Sequence, residues 1–147
     1  MSYLLDTNVV SEWTRPRPEP KVVAWLADVD EDRVFLSVIT LAEIERGIAL
    51  LAAGKKRDRL AAWLAGDLRD RFDGRLLDVT PAVAHEWGTL SAKAQRRGTP
   101  IGLLDAFVAA IARVHGLTLV TRNDADFKGV DVEVLNPWKD EGPFGQG

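Results

Sequence analysis

The sequence predicts an α/β protein, a parallel sheet with helices on both faces, and three observations carry that expectation. Apolar runs of strand length alternate with stretches whose apolar residues recur at helical spacing. The first run, Tyr3-Leu4-Leu5, stops at Asp6, Thr7 and Asn8, so a buried strand delivers a carboxylate to its C-terminal edge, where open α/β sheets place their sites. The chain has 147 residues with 46% hydrophobic content, which suits one well-packed domain and gives no sign of a second.

The elements follow in order. The first strand is 3–5. Residues 13–20, with Pro16, Pro18 and Pro20, read as a broken loop feeding a short helix near 22–27. The second strand is 34–38. From Thr40 the period changes, with Leu41, Ile44, Ile48 and Leu51 at helical spacing up to a stop near Ala53 and Gly54. A further helix from Arg57 to about Phe72 places Leu60, Trp63, Leu64 and Leu68 on one face, and the third strand is 75–79. Pro81, as a first-turn proline, opens a helix that runs to Arg97 and stops at Gly98. Leu104 to His115 form another helix, ended by Gly116, and strands at 117–121 and 132–135 complete the domain, 1–138. Residues 139–147, Gly-rich from Gly142, are expected to be a flexible tail.

Composition narrows the chemistry. The absence of cysteine excludes disulfides, thiolate metal sites and cysteine nucleophiles, leaving hard oxygen ligands. There is no 18-residue apolar run and no basic segment leading a hydrophobic one, so neither a membrane span nor a secretory signal is read, and a soluble cytoplasmic protein is expected. With 19 basic and 22 acidic residues the net charge of −3 argues against a broad nucleic-acid-coating surface. A local basic patch, Lys55, Lys56, Arg57 and Arg59 with Arg96 and Arg97, is compatible with guiding a nucleic-acid backbone but reads somewhat more readily as a plain solvated helix face.

Four acidic points share one topological position. Asp6 ends the first strand, Glu43 sits in the first turns of the helix after the second, Asp105 opens the Leu104 helix, and Asn123, Asp124 and Asp126 follow the fourth strand. In a right-handed βαβ arrangement, strand C-termini and the N-termini of the helices that follow them lie on one edge, so these groups converge. Ionised carboxylates so close require raised pKa values or a divalent cation, and oxygen-only ligation predicts Mg²⁺ or Mn²⁺. Taken singly, each acid also fits a turn or helix-capping role; convergence of the set is harder to explain by capping. Glu45 lies on the opposite side of its helix from Glu43, and His85 and His115 read as helix-surface residues. The five tryptophans, Trp13, Trp25, Trp63, Trp87 and Trp138, read as core or interface groups. Thr7 and Asn8 suit either plain turn roles or holding the Asp6 carboxylate or a phosphate.

The segments LLDTNVVSE (4–12), ITLAEIERG (39–47), GLLDAFVAAIA (102–112), TRNDADF (121–127) and VLNPW (134–138) resemble the PIN-domain ribonucleases of the VapC and FitB type, the toxins of bacterial toxin–antitoxin pairs. The similarity covers residues 3–138 in order and spacing. It implies a three-layer α/β/α fold with a five-stranded parallel sheet, one or two Mg²⁺ or Mn²⁺ ions, and metal-dependent endonucleolytic cleavage of RNA. It also implies a cognate antitoxin whose C-terminal arm enters the active-site groove and whose other end binds operator DNA, and a homodimeric toxin. The family's first three acids fall on Asp6, Glu43 and Asp105.

The fourth position departs from the pattern. Where the family often carries Asp, this chain has Asn123, a neutral oxygen ligand without general-base function, and Asn123 and Asp124 are the candidates for the place, with Asp126 third. In the expected mechanism an ion held by Asp6 and Asp105 activates a water against the phosphodiester, leaving 5′-phosphate and 3′-hydroxyl ends, and Glu43 binds a second ion or orients the water. Two other readings stay open: a haloacid-dehalogenase-type phosphatase, disfavoured by Asn8 where its second Asp belongs, and a non-catalytic antitoxin-binding module, supported by Asn123. Leu50, Leu51, Leu60, Trp63 and Leu64 exceed what one small domain needs to cover its sheet, so part of that helical surface is expected to be shared with another chain.

Overall fold

The computed structural model of the chain describes residues 1–139. The expected tail therefore lies outside the described residues, apart from Lys139. Five parallel strands, β1 (Tyr3–Leu5), β2 (Val34–Ser37), β3 (Leu76–Leu77), β4 (Thr118–Val120) and β5 (Val134–Leu135), form one sheet in the order β3-β2-β1-β4-β5. β1 is central, aligned Tyr3 with Val34 on one side and with Thr118 on the other. The order reverses at β1, so the crevice at the C-terminal ends of β1 and β4 is the switch point at which α/β sheets hold their sites.

Alternation along the strands builds two cores and hence three layers. On one face Tyr3, Leu5, Val34, Leu36, Val120 and Leu135 pack with Val22 and Trp25 of α2 (Pro20–Asp28) and Ile44 and Ile48 of α3 (Val38–Ala49). On the other, Leu4 and Leu119 pack with Val83 and Leu90 of α6 (Pro81–Arg96) and with Val108 and Ile111 of α7 (Leu103–His115). In α7 the run Ala109-Ala110-Ile111-Ala112 is wholly buried, and small side chains let the helix lie close to the sheet. Gly116, with φ of 65°, ends that helix in the left-handed conformation glycine adopts without strain.

The structure refines several expected boundaries. β2 stops at Ser37 because its hydroxyl turns to accept the Thr40 N–H at 3.2 Å and caps α3, so Val38 belongs to the helix. The expected loop at 13–20 is preceded by a single helical turn, α1 (Thr7–Val10), and a 3₁₀ turn, Ser11–Thr14, which bury Val9 and Val10. The helix expected from Arg57 to Phe72 starts at Lys55 as α4 (Lys55–Trp63) and continues through a π-helical segment, Leu64–Leu68, into α5 (Arg69–Arg71). The surplus apolar surface expected there is mostly core. Leu64 is buried, Leu60 and Trp63 pack against the core, and of the five residues Leu50 alone is strongly exposed. No helix among the described residues is long and apolar enough to cross a membrane.

Candidate active site

Asp6 is the residue after β1, and the chain turns at once into α1. Its Oδ1 accepts the Thr7 N–H at 2.9 Å, so the carboxylate caps the turn that follows it. Its Oδ2 accepts the Thr121 hydroxyl at 2.7 Å and lies 3.5 Å from the Asn8 amide. Asn8 in turn donates to Thr121 Oγ1 at 3.3 Å and accepts the Arg122 N–H at 3.0 Å, which ties the ends of β1 and β4 together. Asp6 is thus buried, 6% exposed, with its geometry fixed by three donors.

Glu43, in the second turn of α3, is reached from the same loop. The Thr7 hydroxyl donates to Glu43 Oε1 at 2.7 Å and approaches Thr40 Oγ1 at 3.4 Å, and Thr40 lies 3.5 Å from the Leu5 carbonyl. Thr7 therefore serves both acids, its backbone holding Asp6 and its hydroxyl Glu43. Glu45 is exposed, as its place on the helix predicts, and so are His85 and His115. Asp105 stands half-buried in the first turn of α7.

The electrostatics link these acids to one another. Burial, then the negative charges of Asp6, Asp126 and Glu43, push the Asp105 carboxyl from its ordinary 3.8 to about 6. Burial also raises Asp6 against the opposing pull of its hydrogen bonds, with Asp126 adding to the rise. No lysine or arginine is among the charges that bear on either group.

The 121–126 segment resolves into three roles. Asn123 donates its backbone N–H to Thr121 Oγ1 at 3.1 Å and precedes the 3₁₀ turn Asp124–Phe127, which is anchored by buried Phe127. Asp124 turns away from the cluster: its Oδ1 accepts the Asn136 amide at 3.2 Å and lies 3.6 Å from Lys139 Nζ. These contacts hold its carboxyl below the usual range, the Asn136 bond first. Asp126, weighed after Asn123 and Asp124 on sequence grounds, is the acid of this segment whose charge acts on Asp6 and Asp105. Sequence reasoning gave no role to Thr121, Thr40 or Asn136. A buried Thr closing the strand beside β1 was the available signal for the first.

All the side-chain donors are oxygens with net negative charge, the set that hard divalent cations take. Among the described residues no three acidic or histidine side chains stand close enough to form a ready-made cage, so the donors fit such an ion by their chemistry and not by a preformed geometry. The basic residues Lys55, Lys56, Arg57, Arg59, Arg96 and Arg97 are all exposed.

Comparison with known proteins places this geometry. Toxin FitB of Neisseria gonorrhoeae is 42% identical over 137 residues, covering 93% of this chain and 99% of the relative. VapC ribonuclease Y4jK of Sinorhizobium fredii is 34% identical over 136 residues, covering 92% and 97%. A solved structure of FitAB bound to an IR36 DNA fragment superposes with a TM-score of 0.91 at 40% identity, covering 96% of this chain and 99% of that one. The PIN domain profile matches residues 3–133, which span β1 to β4 and every acid described above, and on that match the chain belongs to the PIN domain family.

Proposed function

We propose that this protein is a divalent-metal-dependent endoribonuclease and the toxin of a toxin–antitoxin pair, with Asp6, Glu43, Asp105 and Asp126 as its acids. The observation that carries the reading is the uncompensated charge at the C-terminal edge of β1 and β4, where four carboxylates act on one another with no cation of the chain's own among them. Asn123 and Asp124 then serve the loop that carries Asp126. The relatives named as a toxin and a ribonuclease support the activity.

When bound, Mg²⁺ or Mn²⁺ would supply Lewis-acid neutralisation of the phosphate and a lowered pKa for its water. Asp6 and Asp105 would hold it. Thr121, Thr7 and Asn8 fix the Asp6 carboxylate in one orientation and so set where a phosphodiester must stand. Glu43, oriented by the Thr7 hydroxyl, is placed to orient a water or hold a second cation. Asp105, whose carboxyl is pushed up to about 6 in the free protein, would have to be deprotonated to hold a cation.

The partners follow from the same site. An antitoxin arm bearing Arg would meet these acids and displace metal by charge-assisted hydrogen bonds, with operator DNA bound only through the antitoxin; that a structure of the similar FitAB is bound to a DNA fragment supports a DNA-linked assembly. A homodimer belongs to the proposal through the family resemblance, since of the apolar residues that first suggested it Leu64 is buried and Leu60 and Trp63 pack against the core.

The test is a Mn²⁺ titration with a short RNA and end analysis of the products. Cleavage that needs metal, yields 5′-phosphate ends and is abolished in Asp6→Asn is the expected result. RNA binding without cutting would replace the reading with a binding module, and release of inorganic phosphate with a phosphatase.

A further inference from the structure

Asn136, the residue after β5, is 1% exposed and uses both ends of its carboxamide. Its Oδ1 accepts the Trp138 N–H at 2.9 Å, and its Nδ2 donates to the Arg122 carbonyl at 3.0 Å and to Asp124 Oδ1 at 3.2 Å. The segment after β5 is thereby stapled to the loop after β4, and the Arg122 guanidinium lying 5.5 Å from the centre of the Trp138 ring joins the same two segments. In a 3₁₀ turn each residue advances by about 120°, so residues 124 and 127 lie on one face and residue 126 lies about 120° away from them. Phe127 points into the core and Asp124 points at Asn136, which leaves Asp126 its own direction.

We propose that Asn136 is a positioning residue of the acidic site: by holding Asp124 and the Arg122 carbonyl it sets the rotation of the Asp124–Phe127 turn and presents Asp126 to Asp6 and Asp105. This rests on the reading that those acids hold a divalent cation. Asp124 then acts as a structural acceptor and contributes no metal ligand, although it is the acid nearer in sequence to the position the family fills with Asp. Partners that orient a ligand from behind typically change metal affinity by about 10- to 100-fold when removed.

The experiment measures Mn²⁺ affinity of the full chain without RNA, by loss of the free-ion electron paramagnetic resonance signal, alongside thermal melts in chelator. Asn136→Ala is expected to weaken Mn²⁺ binding roughly 10-fold, and Asp124→Ala somewhat less. The double variant should be no weaker than Asn136→Ala alone, because both act through one contact. Asp124→Asn, whose amide oxygen still accepts from Asn136, should stay close to wild type, whereas Asp126→Asn should lose most of the affinity. Loss in Asp124→Asn equal to that in Asp126→Asn would make Asp124 a ligand and overturn the inference, as would multiplicative losses in the double variant. If Asn136→Ala shows no cooperative melt, Asp124→Ala and Asp124→Asn decide: weakening in the first alone supports the inference, and equal affinities overturn it. Unchanged affinity in Asn136→Ala alone sinks only this inference, while unchanged affinity in Asp126→Asn sinks the assignment of Asp126 in the proposed function and this inference with it.

Discussion

Asp6 and Glu12 are both buried acids on the same short stretch of chain, one on each side of α1, and the protein treats them in opposite ways. Glu12, 3% exposed, receives Arg15 at 3.2 Å through one oxygen and the Glu19 N–H at 2.8 Å through the other. Its charge is neutralised locally, and it closes the Pro-rich loop onto the 3₁₀ turn that carries it. Asp6 has hydrogen-bond donors and no cation, and the nearest further charges on it are negative. A carboxylate that only had to be buried would be paired as Glu12 is, since an unpaired buried charge is costly. What separates the two is the uncompensated charge, and that marks Asp6 as part of a site.

The largest expected effect breaks the two acids apart by function. Asp6→Asn should lower RNA cleavage by at least about 10³-fold, the scale set by removing a metal-activated nucleophile, with little change in melting temperature. Glu12→Ala should do the reverse. It should leave cleavage per folded molecule near wild type and cost about 1–3 kcal/mol of stability, because the Glu19 N–H loses its acceptor. Assays of both variants at matched folded fraction check this, and a cleavage defect in Glu12→Ala as deep as that in Asp6→Asn would erase the distinction.

The second effect is stabilisation by metal. Millimolar Mn²⁺ at about 100 times its dissociation constant should add roughly 2–3 kcal/mol, several degrees in melting temperature, to the wild type. Glu12→Gln should keep that gain and Asp6→Asn should lose most of it. Equal Mn²⁺ responses in the two variants would show that the cation binds elsewhere.

The same contrast explains what the sequence made legible. Asp6, Glu43 and Asp105 could be read because their placement follows from topology, each sitting where a strand ends or the next helix begins. The unbroken apolar run Tyr3-Leu4-Leu5 likewise announced a buried strand, whose side chains the structure divides between the two cores. The choice between Asp124 and Asp126 was not legible, because it is decided by Asn136, which belongs to another strand's end. Nor was α1, a single turn too short to carry a period and set by the Asp6 cap itself. The role of Glu12 was hidden for a similar reason, since its partner N–H comes from Glu19 beyond the prolines and leaves no spacing to read.

The smallest effect is a pH dependence that Asp105 imposes. In the folded, metal-free chain the Asp105 carboxyl sits at about 6 against an ordinary 3.8, so between those values the folded state holds more proton than the unfolded one. Stability contributed by this group therefore falls as pH rises through that window, the opposite of what a salt-bridged acid gives. Below about pH 4 wild type and Asp105→Asn should melt nearly together; above about pH 6 the variant should be the more stable, because its amide no longer faces the charges of Asp6, Asp126 and Glu43. The half-buried setting and solvent screening keep the difference small, and high salt should shrink it further. Thermal melts in chelator from pH 3.5 to 7.5 test the point. A difference between wild type and Asp105→Asn that stays flat across that range would mean the four carboxylates do not act on one another, and the contrast with Glu12 would lose its electrostatic basis.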